Sequence, residues 1–231
     1  MRVGIVVFPG TNCDQDMAHV YGSLLSAEVV PIWHRELGLP PLDIVVLPGG
    51  FSYGDYLRTG ALAKLSPIMG AIKKFAGAGG RVIGICNGFQ ILCEAGLLPG
   101  ALLENKGRTF LSQFVHLRAE PSNSFLTASL APGSRLCCPI AHFQGNYFAD
   151  QKTLEELESR NQIILRYVDA DGNRADSDLS VNVNGSLHSI AGICNEAGNV
   201  VGMMPHPERS VELLTGGVGG DSGLSLFRAA S

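Results

Sequence analysis

Short runs of apolar, β-branched residues alternate with longer helical stretches in the first half of the chain, and this alternation restricts the fold more than any other feature. The predicted strands are residues 2–8, 27–33, 43–50 and 81–85. The predicted helices between them are residues 11–26 and 59–80. Strand–helix–strand units of this kind form parallel sheets covered by helices on both faces. We therefore predict an α/β fold with an open, mostly parallel central sheet.

Local signals place the ends of these elements. Thr11, Asn12 or Asp14 can cap the first helix, because each side chain accepts a hydrogen bond from a free backbone N–H. Pro31 predicts either that its strand lies at an edge of the sheet or that the strand bends early, since proline cannot donate to a neighbouring strand. The pair at residues 79–80 is Gly-Gly, which is typical of a helix C-terminus.

The second half of the chain is less regular and predicts additional antiparallel strands. The candidate strands are residues 110–120, 135–142, 162–168, 189–195 and 199–205. The candidate helices are residues 153–161 and 223–230. Residues 195–199 carry the Asn and Gly of a hairpin turn. Because no linker or repeat interrupts the chain, we predict a single domain over residues 1–231.

Composition and charge exclude several classes of function. Of 231 residues, 45% are hydrophobic and 16% charged, which favours a compact core over disorder. The formal charge is −4 and there is no basic stripe, so a nucleic-acid partner is not expected. The six cysteines form no C-x-x-C pair, so neither a metal site nor a disulfide framework is predicted. No leader or membrane-spanning run is evident, so we expect a soluble, cytoplasmic protein with no membrane partner.

The motif G-I-C-N-G spans residues 84–88 and follows a predicted strand directly. It has the form of a nucleophile elbow with cysteine in place of serine. Gly84 and Gly88 let strand and helix approach closely, and the helix N-terminus favours a thiolate at Cys86. The alternative is that Cys86 is a small buried apolar residue.

Of the six histidines, His206 stands in the distinctive sequence M-M-P-H-P-E. Pro205 and Pro207 oppose a helix there, and residues i and i+2 of an extended segment point to the same side. Glu208 can then accept a hydrogen bond from one ring nitrogen of His206 and turn the other nitrogen towards Cys86. The alternative is a proline-rich strand exit in which Glu208 starts a helix.

The sequence L-P-G-G at residues 47–50 supplies a third element. Gly49 and Gly50 at a strand end can direct backbone N–H groups towards a developing oxyanion, together with the N–H of Asn87. A plain tight turn is the alternative, since Pro-Gly-Gly also forms turns.

L-P-G-G, G-x-C-x-G-x-Q and H-P-E, in this order, resemble the class I (triad) glutamine amidotransferases. The stretches G-G-F-S-Y-G-D-Y-L-R and N-G-S-L-H-S-I-A-G-I are more specific. With further matching segments over nearly the whole chain, they are similar to one family of this class, the glutaminase subunits of phosphoribosylformylglycinamidine synthase.

The resemblance implies a Cys-His-Glu triad in which Cys86 is the nucleophile, His206 the acid–base and Glu208 its orienting partner. The substrate-binding positions that it implies are Gly49, Gly50, Phe51, Asn87 and Gln90. The implied reaction hydrolyses L-glutamine to glutamate and ammonia through a γ-glutamyl thioester. This chain then needs no metal or cofactor.

The resemblance also implies partners. A synthetase subunit receives the ammonia and uses ATP, with Mg, to convert formylglycinamide ribonucleotide to formylglycinamidine ribonucleotide in purine biosynthesis. A small accessory subunit often completes such complexes.

One segment departs from the family pattern. Family members commonly carry H-G-E-G, whereas this chain has Phe143 and Gln144 in the middle two positions. The segment lies near the glutamine site or the partner face in related enzymes. No role is therefore assigned to His142 or Gly145.

Two alternatives remain open at the level of sequence. A similarly folded intracellular cysteine hydrolase or peptidase often has histidine directly after the cysteine, where this chain has Asn87. An inactive regulatory subunit of the same complex would usually have lost the cysteine or the H-P-E sequence, and both are present.

Overall fold

A nine-stranded sheet organises the protein, whose computed structural model describes residues 1–128, 130–220 and 222–229. The strands are β1 (Arg2–Val7), β2 (Glu28–Trp33), β3 (Ile44–Leu47), β4 (Arg81–Ile85), β5 (Ala101–Leu103), β6 (Leu111–Ala119), β7 (Arg135–His142), β8 (Asn146–Phe148), β9 (Ile163–Val168), β10 (Ile190–Cys194) and β11 (Val200–Met203). The helices are α1 (Asp14–Ala18), α2 (Ile68–Gly77), α3 (Asn87–Glu94), α4 (Gln151–Ser159) and α5 (Leu224–Ala229).

The sheet divides into a parallel half and an antiparallel half. Its order is β2-β1-β3-β4-β11-β10-β9-β6-β7. The strands from β2 to β11 pair in parallel. The strands from β11 to β7 pair antiparallel. The predicted α/β fold, with extra antiparallel strands from the second half of the chain, is confirmed.

Burial explains why the central strands are continuous apolar runs. All residues of β3 and β11 are buried, as are all but the first of β4. A strand buried on both faces must be covered on both faces, and helices provide that cover. Strand β2 is half-exposed and carries Pro31 at the sheet edge, as predicted.

The first predicted helix has a different start and end from those expected. Helix α1 covers Asp14–Ala18 and continues as one wider turn over His19–Leu24. Its N-cap is Cys13, and no side chain caps it, so the predicted caps are wrong. The Thr11 hydroxyl instead accepts a hydrogen bond from the Phe8 N–H at 2.9 Å, which closes the turn after β1.

The second predicted helix forms only in its later part. A short 3₁₀ turn covers Ala63–Leu65, and α2 starts at Ile68. Ser66 between them is extended, because Pro67 disfavours helical backbone at the preceding residue. The C-terminus is as predicted: Gly79 has a φ of +88°, a conformation that glycine adopts at low cost.

The remaining predictions fall close to the observed elements. The hairpin turn of residues 195–199 joins β10 and β11, and the Gly198 N–H donates to the Asn195 carbonyl. The last residue of the predicted helix 223–230 lies outside the described residues.

The two-stranded sheet of β5 and β8 was not predicted, because its strands have only three residues each. Within the described ranges, no helix is long and apolar enough to cross a membrane.

Helix α3 lies unusually close to the sheet. A Cβ built on Gly88 would lie 1.9 Å from the carbonyl oxygen of Leu47 in β3. A Cβ on Gly84 would lie 2.7 Å from the carbonyl carbon of Gly88. Both positions therefore require glycine, and the helix N-terminus lies directly against the carboxyl ends of β3 and β4.

We predict that Gly88→Ala destabilises the protein by about 3 kcal/mol, because the backbone of Leu47 would have to move. Equilibrium unfolding in urea measures the change. Gly70→Ala in α2 is the matched control: a Cβ at this position would have no neighbour within 4 Å, so the substitution should stabilise by roughly 0.5–1 kcal/mol. Equal effects of the two substitutions would show that the close approach is not needed for stability.

Candidate active site

A cavity of about 490 Å³ opens at the carboxyl ends of the parallel strands, where ligands bind in open α/β sheets. Five of the eight predicted catalytic and substrate-binding residues line it, namely Gly50, Phe51, Cys86, Gln90 and His206, whereas Gly49, Asn87 and Glu208 do not. The other described lining residues are Asn12, Cys13, Gly54, Asp55, Thr59, Phe110, Ala141, His142, Phe143, Gln144 and Arg209.

Cys86 forms the turn between β4 and α3. Its backbone has φ +49° and ψ −105°, a conformation that side-chain-bearing residues rarely adopt. The Cys86 N–H donates to the Met203 carbonyl at 2.7 Å, which ties the turn to the neighbouring strand β11. Its Sγ lies 3.7 Å from the carbonyl oxygen of Ala141. Strain held in this way at a strand-to-helix turn is typical of a nucleophile elbow.

His206 and Glu208 form a buried pair. His206 Nδ1 lies 2.6 Å from Glu208 Oε1, and both side chains are almost fully buried. Since a carboxylate only accepts, Nδ1 carries the proton and Nε2 is left for another partner. His206 Nε2 has no hydrogen-bond partner among the described residues. The predicted extended geometry is wrong, because Pro207–Arg209 form a 3₁₀ turn, yet this turn also brings the two side chains together.

The charges around His206 favour its protonated form. Burial alone would lower its pKa, but the Glu208 carboxylate and the Cys86 thiolate outweigh burial. The pKa of His206 is therefore raised well above its usual value. A protonated imidazole beside Cys86 can balance a thiolate and can deliver a proton to a leaving group.

The surroundings of the two glycines after β3 leave no room for a side chain. A Cβ on Gly49 would lie 2.6 Å from His206 Cε1 and 3.0 Å from Cys13 Sγ, so only glycine fits. Gly50 has a φ of +152° and lies against the chain after β1. The Phe51 N–H donates to the Gly10 carbonyl at 3.0 Å, so in this conformation it is not free to bind a ligand.

Asn87 and Gln90 connect the elbow to its surroundings. The Asn87 carboxamide accepts from the Ser52 N–H at 3.1 Å and donates to Gln90 Oε1 at 3.0 Å. Gln90 Nε2 in turn donates to the Gln144 carbonyl at 2.6 Å. Gln90 lines the cavity, whereas the Asn87 side chain holds the loop after β3 in place.

Cys13 is a second thiol at the site that the sequence analysis gave no role. Its Sγ lies 3.9 Å from His206 Nδ1 and accepts from Arg209 at 3.1 Å. Burial raises the pKa of Cys13. The one feature of the sequence that could have indicated Cys13 is its position just after β1, because ligands bind at the carboxyl ends of parallel strands.

The ligand atoms of Cys13, His206 and Glu208 lie within 4.8 Å of one another, a spacing that could hold a metal ion. Two features oppose that use. The imidazole and the carboxylate already bond each other, and the guanidinium of Arg209 lies against the thiol. We therefore assign the three residues to the histidine's environment and not to a metal site.

The segment that departs from the family pattern forms a wall of the cavity. Asn105 Nδ2 donates to two backbone carbonyls, so its Oδ1 accepts from His142 Nδ1 at 3.0 Å. Burial, with a smaller contribution from His206, lowers the pKa of His142 to about 3. His142 is therefore neutral and its Nε2 can only accept. Gln144 accepts from the Thr59 hydroxyl at 2.7 Å. In the sequence, this segment is visible only as a departure from the family pattern H-G-E-G.

A cysteine elbow and a distal histidine–glutamate pair on an α/β sheet are typical of the triad glutamine amidotransferases. The profile of the CobB/CobQ-like glutamine amidotransferase domain matches residues 1–228, and the chain belongs to this family.

Its relatives include phosphoribosylformylglycinamidine synthase subunit PurQ of Salinibacter ruber, which is 50% identical over 99% of this chain and 94% of the relative. The subunit of the same name from Rubrobacter xylanophilus is 49% identical over 99% of this chain and 97% of the relative.

Solved structures agree with this assignment. A chain in the structure of PurLQS from Thermotoga maritima is 40% identical, with a TM-score of 0.84 over 99% of this chain and 96% of that chain. Another glutamine amidotransferase from Thermotoga maritima is 15% identical, with a TM-score of 0.62 over 100% of this chain and 96% of that chain. At that identity, the second likeness concerns the fold alone.

We predict that Glu208→Gln lowers the pKa of His206, because burial then acts against the charge with one carboxylate fewer to oppose it. Imidazole NMR titration of isotope-labelled protein measures the midpoint. Glu212→Gln is the control, since Glu212 pairs with the exposed His19 at 2.9 Å and should leave His206 unchanged. An unaltered midpoint in Glu208→Gln would contradict the electrostatic role of Glu208.

Proposed function

We propose that this chain is the glutaminase subunit of phosphoribosylformylglycinamidine synthase, and that it hydrolyses L-glutamine to glutamate and ammonia. The main support is the geometry of the site. Cys86 lies on a strained elbow and shares a cavity with His206, whose Nδ1 lies 2.6 Å from Glu208 Oε1. The relatives that bear this subunit's name match the chain over 99% of its length, which supports the same activity.

The first half of the reaction forms a covalent intermediate. The Cys86 thiolate attacks the side-chain amide carbon of glutamine. Backbone N–H groups at the start of α3 and after β3 stabilise the oxyanion. Protonated His206, oriented by Glu208, donates its Nε2 proton to the departing nitrogen. Ammonia leaves, and a γ-glutamyl thioester remains on Cys86.

The second half releases the product. Neutral His206 now accepts a proton from water, which attacks the thioester carbonyl. Glutamate leaves, Cys86 regains its thiolate, and His206 is again protonated. No metal or cofactor of this chain takes part. Residues 1–231 act as a single glutamine amidotransferase domain.

The ammonia passes to a synthetase subunit that uses ATP and Mg to convert formylglycinamide ribonucleotide to formylglycinamidine ribonucleotide. The complex, with a small accessory subunit, acts in the cytoplasm. Exposed aromatic side chains line the cavity mouth, namely Phe51, Phe110 and Phe143. Apolar side chains around an active site support a partner that covers it.

Both alternatives fit the molecule less well. A peptidase of similar fold is not supported by the family profile or by the relatives. An inactive regulatory subunit has no need of a strained cysteine elbow or of a buried, oriented histidine.

Incubation with 6-diazo-5-oxo-norleucine, a glutamine analogue that alkylates the nucleophile, should place a single adduct on Cys86. Peptide mass mapping locates it, and excess glutamine should prevent it. Cys86→Ala should lose glutaminase activity by roughly 10⁴-fold or more. Cys194→Ala is the control, because that thiol is buried in β10 and does not line the cavity. Folded protein without a Cys86 adduct would contradict the proposed function.

Glutamine turnover by the chain alone should be at least about tenfold lower than in the complex with the synthetase and accessory subunits. The Phe51 N–H faces the Gly10 carbonyl in the isolated chain, so the first part of the loop after β3, residues 49–51, is not fully arranged for the oxyanion. Glutamate release with and without the other subunits measures the difference. Equal turnover would contradict partner control of this loop.

A further inference from the structure

Asp55 is a charged group in the cavity that the triad does not use. It lies in the loop after β3, in a left-handed conformation with a φ of +55°. Its Oδ1 is buried and has no hydrogen-bond partner among the described residues. Burial raises the pKa of Asp55 to about 6. A carboxylate without a partner is costly to bury, so a ligand that supplies a cation would be favoured there.

The loop that carries Asp55 is held on both sides. The Tyr53 hydroxyl lies 2.8 Å from His34 Nδ1 and 2.9 Å from Ser66 Oγ. On the other side, the Arg58 guanidinium binds the Glu94 carboxylate of α3 through two nitrogens. Left-handed backbone at several side-chain-bearing residues persists only where surrounding contacts enforce it. The backbone that carries Asp55 is thus held beside the cavity, which Asp55 lines.

The charges that line the cavity suit the ammonium end of an amino acid. Asp55 is the only carboxylate among the described residues that line it, and Arg209 is the only guanidinium. Arg209 is already engaged, with Asp16 Oδ2 at 3.1 Å and Cys13 Sγ at 3.1 Å. Asp55 has no such partner among the described residues, so its charge remains to be matched. L-Glutamine carries a single cation, its α-ammonium group.

We propose that the Asp55 carboxylate binds the α-ammonium group of L-glutamine and thereby selects the free amino acid over amides that lack this group. The inference rests on the proposed glutaminase function. It places the amino-acid end of the substrate at the loop after β3 while the carboxamide lies at Cys86. Asp55 is then a specificity-determining residue and takes no part in bond breaking.

The test compares two amides in the complex with the synthetase subunit: L-glutamine and glutaramate, which has the same carboxamide but no α-ammonium. Asp55→Asn should raise the KM for glutamine by roughly 100-fold with little change in kcat, as expected when one partner of a buried charge pair is truncated. Its kcat/KM for glutaramate should stay at the wild-type value. The preference for glutamine over glutaramate should therefore fall by a similar factor.

Asp171→Asn is the matched control, because it removes one exposed carboxylate that does not line the cavity and should leave both substrates unaffected. Iodoacetamide labelling of Cys86, which needs no ammonium group, reports that the elbow of Asp55→Asn is intact.

Three outcomes overturn the inference. Equal losses with both amides would show that Asp55 only supports the loop. Unchanged kinetics with both amides would show that it does not bind glutamine. Unchanged kinetics with weaker association of the synthetase would assign Asp55 to the interface. In each case, the proposed function still holds if the wild-type complex hydrolyses glutamine. If the wild-type complex does not hydrolyse glutamine, the proposed function itself is contradicted.

Discussion

The close approach of α3 to the sheet is the constraint on which the site depends. A Cβ on Gly88 would collide with the Leu47 carbonyl, and one on Gly84 with Gly88 itself. The chain enters this closely packed helix through a tight turn at Cys86, whose φ is +49°. The thiol is thereby brought to the carboxyl edge of the sheet, where β11 also ends and delivers His206.

Electrostatic interactions then determine which side chains at this edge of the sheet are charged. His206 is buried, so its charge depends on Glu208 and on the thiolate of Cys86. His142, buried nearby with only an amide oxygen as partner, stays neutral and can only accept. Two buried histidines of one cavity therefore have opposite charge preferences, set by whether a carboxylate lies beside the ring. Asp55 is a carboxylate of the same cavity whose Oδ1 has no hydrogen-bond partner among the described residues.

Most of the fold was predictable because its strands are buried on both faces and read as continuous apolar runs. The predictions that are wrong concern the ends of single helices. The helix predicted over residues 59–80 is interrupted, because Pro67 keeps Ser66 extended. The caps of α1 were wrong because Thr11 bonds within the turn after β1. At the site, motifs indicated Cys86, His206 and Glu208, but no motif indicated the neighbours that Cys13 and His142 provide.

Residue order is enough to predict the α/β class from periodicity, the elbow from its glycines, and the residue types of a triad from their motifs. The folded structure is needed to show which side chains share the cavity, which way the Phe51 N–H points, and why His206 holds a proton while His142 does not. These properties depend on distance and desolvation between residues far apart in the chain, and neither quantity can be read from residue order.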